Sequence, residues 1–415
     1  MVKPGYKQTE IGVIPEDWAL KYLNNFGDVI SGGTPSTAIK EYWDGDIAWC
    51  TPSDITSTKG KYISKTSRNI TQEGVKNSAA TILPPNSLLL CTRATIGEIK
   101  LSKIPMATNQ GFKNLLPNDI RNIEYLYYLL QIKKKDMLEL AIGSTFLEIS
   151  KKALCNIPLQ TPSIPEQEKI AEALSDTDNL ISSLEKLIEK KKAIKQGAMQ
   201  NLLKGKTRLP GFTGEWGKIN LSKKSKIKAR IGWQGLTTNE YLNSGFSYLV
   251  TGTDFINGQI NWAGCHYVAK DRFDQDKNIQ LRNDDILITK DGSLGKTALV
   301  KNLNKPATLN SGVFVIRPIE NSYNSTFVYY ILSSFVFKDF LDHLSAGSTI
   351  IHLYQKDINK FEFFVPKTIE EQIAIASILS DMDNEIEQLE QKLAKTRLIK
   401  QGMMQQLLTG RIRLV

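Results

Sequence analysis

Cysteine is scarce in this chain of 415 residues. The four present, Cys50, Cys91, Cys155 and Cys265, stand far apart with no C-x-x-C pair. That spacing excludes a disulfide framework and a zinc ribbon, and it predicts reduced, mostly structural thiols. Histidine is scarcer still: His266, His343 and His352 are widely separated, so no metal-ligand spacing arises. No apolar run approaches the roughly 18 residues of a membrane span. The start, Met1 to Gln8, lacks the apolar core of a signal peptide, and the expected location is the cytoplasm. Acid is in deficit, with 53 Lys and Arg against 43 Asp and Glu and a formal net charge of +10. Such a balance favours an anionic partner, nucleic acid first, and says nothing of the fold. Lysines cluster at Lys133 to Lys135, at Lys190 to Lys192, and at Lys223, Lys224, Lys226 and Lys228 beside Arg230.

Catalytic motifs are missing as well. An adenine methyltransferase needs an Asn/Asp-Pro-Pro-aromatic loop for the flipped base. The only Pro-Pro is Pro84-Pro85, between Leu83 and Asn86. Gly295-Lys296-Thr297 resembles the end of a phosphate-binding loop, but Lys290 stands where the first glycine must be. Glu98-Ile99-Lys100 has a nuclease-like spacing without the Pro-Asp partner. Catalytic, cofactor-binding and metal-binding residues are therefore all expected to be none.

What is present is a repeat. Gln167 to Leu209 returns as Gln372 to Leu414, at an offset of 205 residues. Ile170, Ala171, Leu174, Ser175, Asp176, Asp178 and Asn179 reappear as Ile375, Ala376, Leu379, Ser380, Asp381, Asp383 and Asn384; Lys195-Gln196-Gly197 reappears as Lys400-Gln401-Gly402. So long a period indicates a duplicated half-molecule, not a solenoid. Fainter echoes lie upstream: Gly143-Ser144-Thr145 with Gly347-Ser348-Thr349, Leu88 to Gly97 with Ile286 to Gly295, and Asn109 to Phe112 with Asn310 to Phe314.

Each repeated segment reads as a long helix. Apolar residues fall at Ile170, Leu174, Ile181, Leu184 and Ile188 in the first, with Thr177 interrupting, and at Ile375, Leu379, Met382, Ile386, Leu389 and Leu393 in the second. This heptad stripe suits helices that pack along their length, most economically against each other across a pseudo-twofold axis. Ser163 with Glu166 and Thr368 with Glu371 have capping-box spacing, and Gly205 and Gly410 mark the ends. Gly197 and Gly402 are expected to break each helix into a long and a short piece. Unbroken, the helix from Glu166 to Leu203 spans about 57 Å.

The intervening sequence is rich in Gly, Asn, Thr and aromatics, with short apolar runs that suit strands and turn signals such as Gly32-Gly33-Thr34-Pro35, Asn257-Gly258 and Asp291-Gly292. The reading is an α+β protein with an internal duplication: globular domains over 1–160 and 210–365, each mixed α/β, and two long helices over 161–209 and 366–415 packed as an antiparallel coiled-coil spacer.

In its order of motifs the chain resembles the DNA-specificity subunits of type I restriction-modification systems. The resemblance is carried by Glu166-Gln167 and Glu371-Gln372, by Leu-Ser-x-x-Asp at 174–178 and 379–383, and by Lys-Gln-Gly-x-Met at 195–199 and 400–404. The openings Ile14 to Trp18 and Phe212 to Trp216, with Ser31 to Pro35 and Asp285 to Ile288, complete it. It implies two target-recognition domains, each reading one half of an asymmetric bipartite site in double-stranded DNA, with the helices as a ruler for the gap. It implies docking of two modification subunits that methylate adenine N6 with S-adenosylmethionine. Restriction subunits that use ATP and Mg2+ complete the complex. The chain itself is then no enzyme and holds no cofactor.

Candidate DNA contacts follow from chemistry and position, since Arg or Lys suits guanine and Asn or Gln suits adenine. In the first domain they are Thr34, Arg93, Asn109, Gln110, Ser144 and Thr145. In the second they are Trp233, Gln234, Lys290, Ser293, Lys296, Ser348 and Thr349, with Lys223 and Lys224 as phosphate contacts. Trp43, Trp49 and Trp262 suit core packing better than base stacking. The competing reading is a two-domain interaction scaffold with no DNA readout. Salt titration separates them: a DNA reader loses affinity steeply as salt rises, because phosphate neutralisation releases counterions, and a peptide-binding scaffold has no such slope.

Overall fold

The computed structural model describes residues 2–143, 147–345 and 352–414. The chain forms two compact units. One comprises Met1–Leu187 with Glu390–Val415, the other Ile188–Leu389. Each unit therefore draws on both copies of the repeat.

In the first unit a five-stranded sheet runs in the order Gly27–Ser31, Phe112–Pro117, Leu88–Cys91, Ile99–Ser102, Tyr62–Ile63. A three-stranded sheet places Trp43–Cys50 between Met106–Thr108, parallel to it, and Arg68–Ile70, antiparallel. The second unit repeats the scheme. Ser225–Ala229, Val313–Pro318, Ile286–Thr289 and Thr297–Leu299 make a four-stranded antiparallel sheet, and Ser247–Val250 lies between Ala307–Leu309, parallel, and His266–Val268, antiparallel. The runs Leu88–Cys91 and Ile286–Thr289 are buried at every position. Strands covered on both faces read as continuous apolar runs, which is why these two stand out in the sequence.

The repeated segments are the helices Ile164–Leu202 and Ile369–Leu407, each 39 residues long. Neither breaks at Gly197 or Gly402, contrary to the expectation from sequence. A helical glycine costs about 1 kcal/mol relative to alanine, a small loss beside the packing of a long apolar stripe. Gly205 and Gly410 do end the helices, with φ of +64° and +70°; a left-handed residue of this kind closes the last turn, and glycine takes it without strain.

The apolar stripe is buried where it begins. Ile170, Leu174, Ile375 and Leu379 are essentially inaccessible, each contributing about 2 kcal/mol by leaving water. In the first unit the early turns of the first helix and the last turns of the second join one core, with Leu407 and Leu408 beside Leu88, Leu126 and Tyr128. In the second unit Leu202 and Leu203 join Ile286, Ile288, Phe327, Ile375 and Leu379. Thr177, which interrupts the stripe, turns its hydroxyl onto the Ala173 carbonyl of its own helix at 2.9 Å.

Charged pairs fix the direction of helix pairing within each unit. In the first, Glu166 bonds Arg413, Asp178 bonds Lys400 at 2.7 Å and Glu185 bonds Arg397 at 2.5 Å. Numbers rise on one helix as they fall on the other, so the helices run antiparallel there. In the second unit Arg208 bonds Glu371, Lys195 bonds Asp383 and Lys191 bonds Glu385, again antiparallel. Two of the contacts correspond with the two copies exchanged, Glu166–Arg413 with Glu371–Arg208 and Asp178–Lys400 with Asp383–Lys195, as in an isologous interface.

Two further sequence motifs meet at these pairs. Trp18 is fully buried and its indole Nε1 donates to Glu166 at 3.1 Å, while Arg413 spans Glu166 and Asp17. Glu166 thus serves the tryptophan and the arginine; the pairing expected from the Ser163 spacing gives way to a buried carboxylate's stronger demand for a cation. These hydrogen bonds raise the affinity of Arg413 for its proton and hold the Asp17 carboxyl below its ordinary range. Asp178 and Asp383 also accept from the phenols of Tyr128 and Tyr330, at 2.7 and 2.8 Å. Burial pushes both phenols up.

No helix among the described residues is long and apolar enough to cross a membrane. The four thiols are free, and burial pushes Cys91 and Cys265 up to about 12, which keeps them protonated and unreactive.

Glu166 is 3% exposed, so Arg413→Ala leaves a carboxylate buried without its cation. The expected loss is about 3 kcal/mol of stability, read as a lower midpoint in urea, whereas Lys135→Ala, on an exposed helix turn, leaves the midpoint unchanged.

Candidate nucleic-acid interface

Strand register gathers the loops of each unit at one sheet end. In the first unit Ser31 pairs Lys113, Phe112 pairs Cys91 and Leu90 pairs Ile99. Thr108 pairs Cys50 in the neighbouring sheet. The loops following residues 31, 50, 91 and 108 consequently converge. Gly33 N–H donates to the Thr108 carbonyl, and a Cβ on Gly32 or Gly33 would strike neighbouring backbone within 3 Å, so only glycine permits this approach.

Four of the predicted residues meet here. The Thr34 hydroxyl bonds Gln110 Oε1. Gly111, the next residue, lies beside Asn109 and Arg93, whose Cβ is 3.7 Å from the position a Gly111 side chain would take. Gln110 is exposed and Thr34, Arg93 and Asn109 are half-buried. Asn109 Oδ1 accepts from the Gly111 N–H at 2.9 Å, so its carbonyl builds the turn and its NH2 group is the end left to face outward. Ser144 and Thr145 lie outside the described residues.

The second unit builds the same end from different chemistry. Ala229 pairs Phe314, Thr289 pairs Val313 and Val250 pairs Leu309, so the loops after 229, 250, 289 and 309 converge. Asn310 repeats Asn109, accepting from Gly312 N–H at 3.0 Å. Lys290 reaches over the Phe314 ring at 5.5 Å, and Ser293 and Lys296 are exposed on the same loop. Gln234, in contrast, is buried, with its Oε1 lacking a protein partner. The neighbouring Arg230 is buried too; it ties the loop down through Leu309 O, Thr308 Oγ1 and Gln234 O. The side chain of Trp233 and residues Ser348 and Thr349 lie outside those described. Lys223 and Lys224 are exposed at the far end of the strand Ser225–Ala229, about 15 Å from the loops. That location suits backbone phosphates better than base edges.

Both loop ends are braced in one way. Thr51 N–H donates to Asp54 at 2.8 Å, and Thr251 N–H to Asp254 at 2.7 Å. Trp43 and Trp49 pack edge to face at 5.0 Å beneath the first unit's loops, Trp49 Nε1 donating to Gly33 O. Trp262 caps Lys301 O at 2.9 Å. All three tryptophans support the fold, as the sequence suggests. Sequence reasoning passed over Lys113, Glu148, Asp291, Asn310 and His352. Lys113 stands where the second unit has Phe314, and Lys290 where the first has Thr92, so the lysine changes strand while staying at the same sheet end. Only pairing the two halves through their strands makes that exchange visible. For Asn310 the signal was already in the sequence, in its match to Asn109.

Comparison with known proteins agrees with this duplicated architecture. The family model described as type I restriction modification DNA specificity domain matches residues 15–196 and 233–396. The type I restriction enzyme MjaIX specificity subunit of Methanocaldococcus jannaschii is 44% identical over 183 residues, covering 44% of this chain and 42% of that protein. This chain therefore spans less than half of that relative in the match. The MjaVIII specificity subunit of the same organism is 26% identical over 418 residues, covering 96% of this chain and 94% of its own. In fold, the chain resembles the S subunit of a type I restriction-modification system from M. genitalium, with a TM-score of 0.61 at 18% identity, covering 98% of both chains.

Arg93→Ala is expected to abolish selection of one base in one half of the DNA target. Lys224→Ala is expected to weaken binding to every sequence alike and to flatten the salt slope by about 0.9. Binding selections on randomised duplexes, repeated across salt concentrations, read both.

Proposed function

This chain belongs to the type I restriction-modification DNA-specificity family, and on that premise we propose that each unit reads one half of a bipartite, asymmetric duplex site while the paired helices set the gap. The observation that carries the reading is the loop cluster repeated at the same sheet end in both units, on one scaffold but with different residues. A shared scaffold keeps the mode of docking; different loop residues select different bases. In this proposal Arg93, Asn109, Gln110 and Thr34 face one half-site and Lys290, Ser293 and Lys296 the other, with Lys223 and Lys224 on phosphates.

The helices carry the second part of the proposal. Their outer faces keep apolar residues in water, among them Leu180, Leu187, Ile194 and Leu398. Two modification subunits docking there would cover them. Those subunits supply adenine N6 methylation with S-adenosylmethionine, and restriction subunits supply ATP- and Mg2+-dependent steps; this chain supplies the address. A structure of a type I system described in terms of complex assembly and conformational transition shares this fold at a TM-score of 0.58 and 16% identity.

The register within each unit dictates how the ruler must be lengthened. An insertion in one helix alone would slide Asp178 from Lys400, so matched insertions are needed. One heptad added after Leu187 and another after Leu389, where the chain passes between units, keep all pairs within each unit. Seven residues add about 10 Å of helix, or about three base pairs of DNA. Mapping methylated adenines after co-expression with the modification subunit is expected to show both half-sites unchanged and the gap wider by about three. New bases in either half would mean that the helices themselves read the grooves.

A further inference from the structure

The two loop clusters differ most sharply at one matched pair of positions. In the first unit Arg93 forms an isolated antiparallel bridge with Glu148; in the second Asp291 forms one with His352. Both follow the central buried strand at the same step, and both are set by a neighbouring backbone bond: Ile149 N–H to Thr92 O, and Leu353 N–H to Lys290 O. Where one half presents an arginine, the other presents a histidine held by an aspartate. His352 Nδ1 is 2.6 Å from Asp291 Oδ1, and the pair is open to solvent, with side chains 52% and 41% exposed. Beyond it stands the exposed Tyr354, its ring 6.2 Å from the imidazole, and Lys356 lies over Tyr354 at 5.3 Å.

Resting on the DNA-reading assignment above, we propose that His352, oriented by Asp291, is a specificity-determining residue of the second unit and reads an exocyclic amino group of adenine or cytosine. The carboxylate only accepts, so the proton of a neutral ring sits on Nδ1 and Nε2 keeps its lone pair. No hydrogen bond engages Nε2 among the described residues. An acceptor aimed at the major groove finds donors only at adenine N6 and cytosine N4. Arg93, which only donates, selects guanine O6 and N7 at the matching place. The halves therefore read with opposite polarity from one bridged pair of scaffold positions, the first through the member that follows the buried strand and the second through its partner.

The test uses the full chain with its co-expressed modification subunit, in binding selections on randomised duplexes at pH 8. His352→Ala is expected to erase preference at one base pair of one half-site, by about tenfold or more, and leave the other half intact. Asp291→Asn lets the ring accept at Nδ1 from the amide and carry its proton on Nε2, so guanine is expected to enter at that same position. A wild-type bipartite motif that His352→Ala leaves unchanged, or weakens evenly over all bases, would overturn the assignment while sparing the DNA-reading function. Loss of preference with no change of selected base in Asp291→Asn would overturn the polarity argument. A wild-type chain selecting no motif would overturn both the assignment and the function on which it rests.

Discussion

The structure depends on acid from one copy of the repeat meeting base from the other. Glu166 with Arg413 and Asp178 with Lys400 in one unit answer Glu371 with Arg208 and Asp383 with Lys195 in the other. Glu166 and Glu371 are almost fully buried, so each must have its cation, and neither copy supplies one to itself. A single repeat could bury its apolar stripe only in part and would leave a carboxylate stranded. Duplication is therefore a condition of folding here as well as a record of origin.

That constraint explains which letters the halves share. Ser175 and Asp178 receive Tyr128, and Ser380 and Asp383 receive Tyr330. Gln167 and Gln372 each close onto the proline carbonyl before their helix, Pro162 and Pro366. The residues that mark the family are thus mostly those that fasten helix to domain. Loop residues escape this selection, because nothing in the helix contacts specifies them. Arg93 and Asp291 occupy one scaffold position and carry opposite charge.

The helices, their antiparallel pairing and the duplication were legible because a heptad stripe repeated at a fixed offset leaves few other solutions. Their continuity through Gly197 and Gly402 was not, since propensity yields to packing over 39 residues. The compact units were less legible still: each takes half of both helices, so segments contiguous in sequence and units contiguous in space divide the chain differently. For the interface, the turn glycines located the loops, but sequence could not separate an exposed Gln110 from a buried Gln234. That distinction depends on whether a neighbour such as Arg230 pulls the loop inward.

Hydrogen exchange on Glu166→Gln tests the cross-copy dependence most directly. If both copies build each unit, the substitution loosens the strand Leu88–Cys91, helix residues 164–187 and the distant residues 390–407 together, while Ile286–Thr289 and residues 369–389 keep their protection. Exchange that leaves 390–407 untouched, or that rises evenly over the whole second helix, would contradict the account.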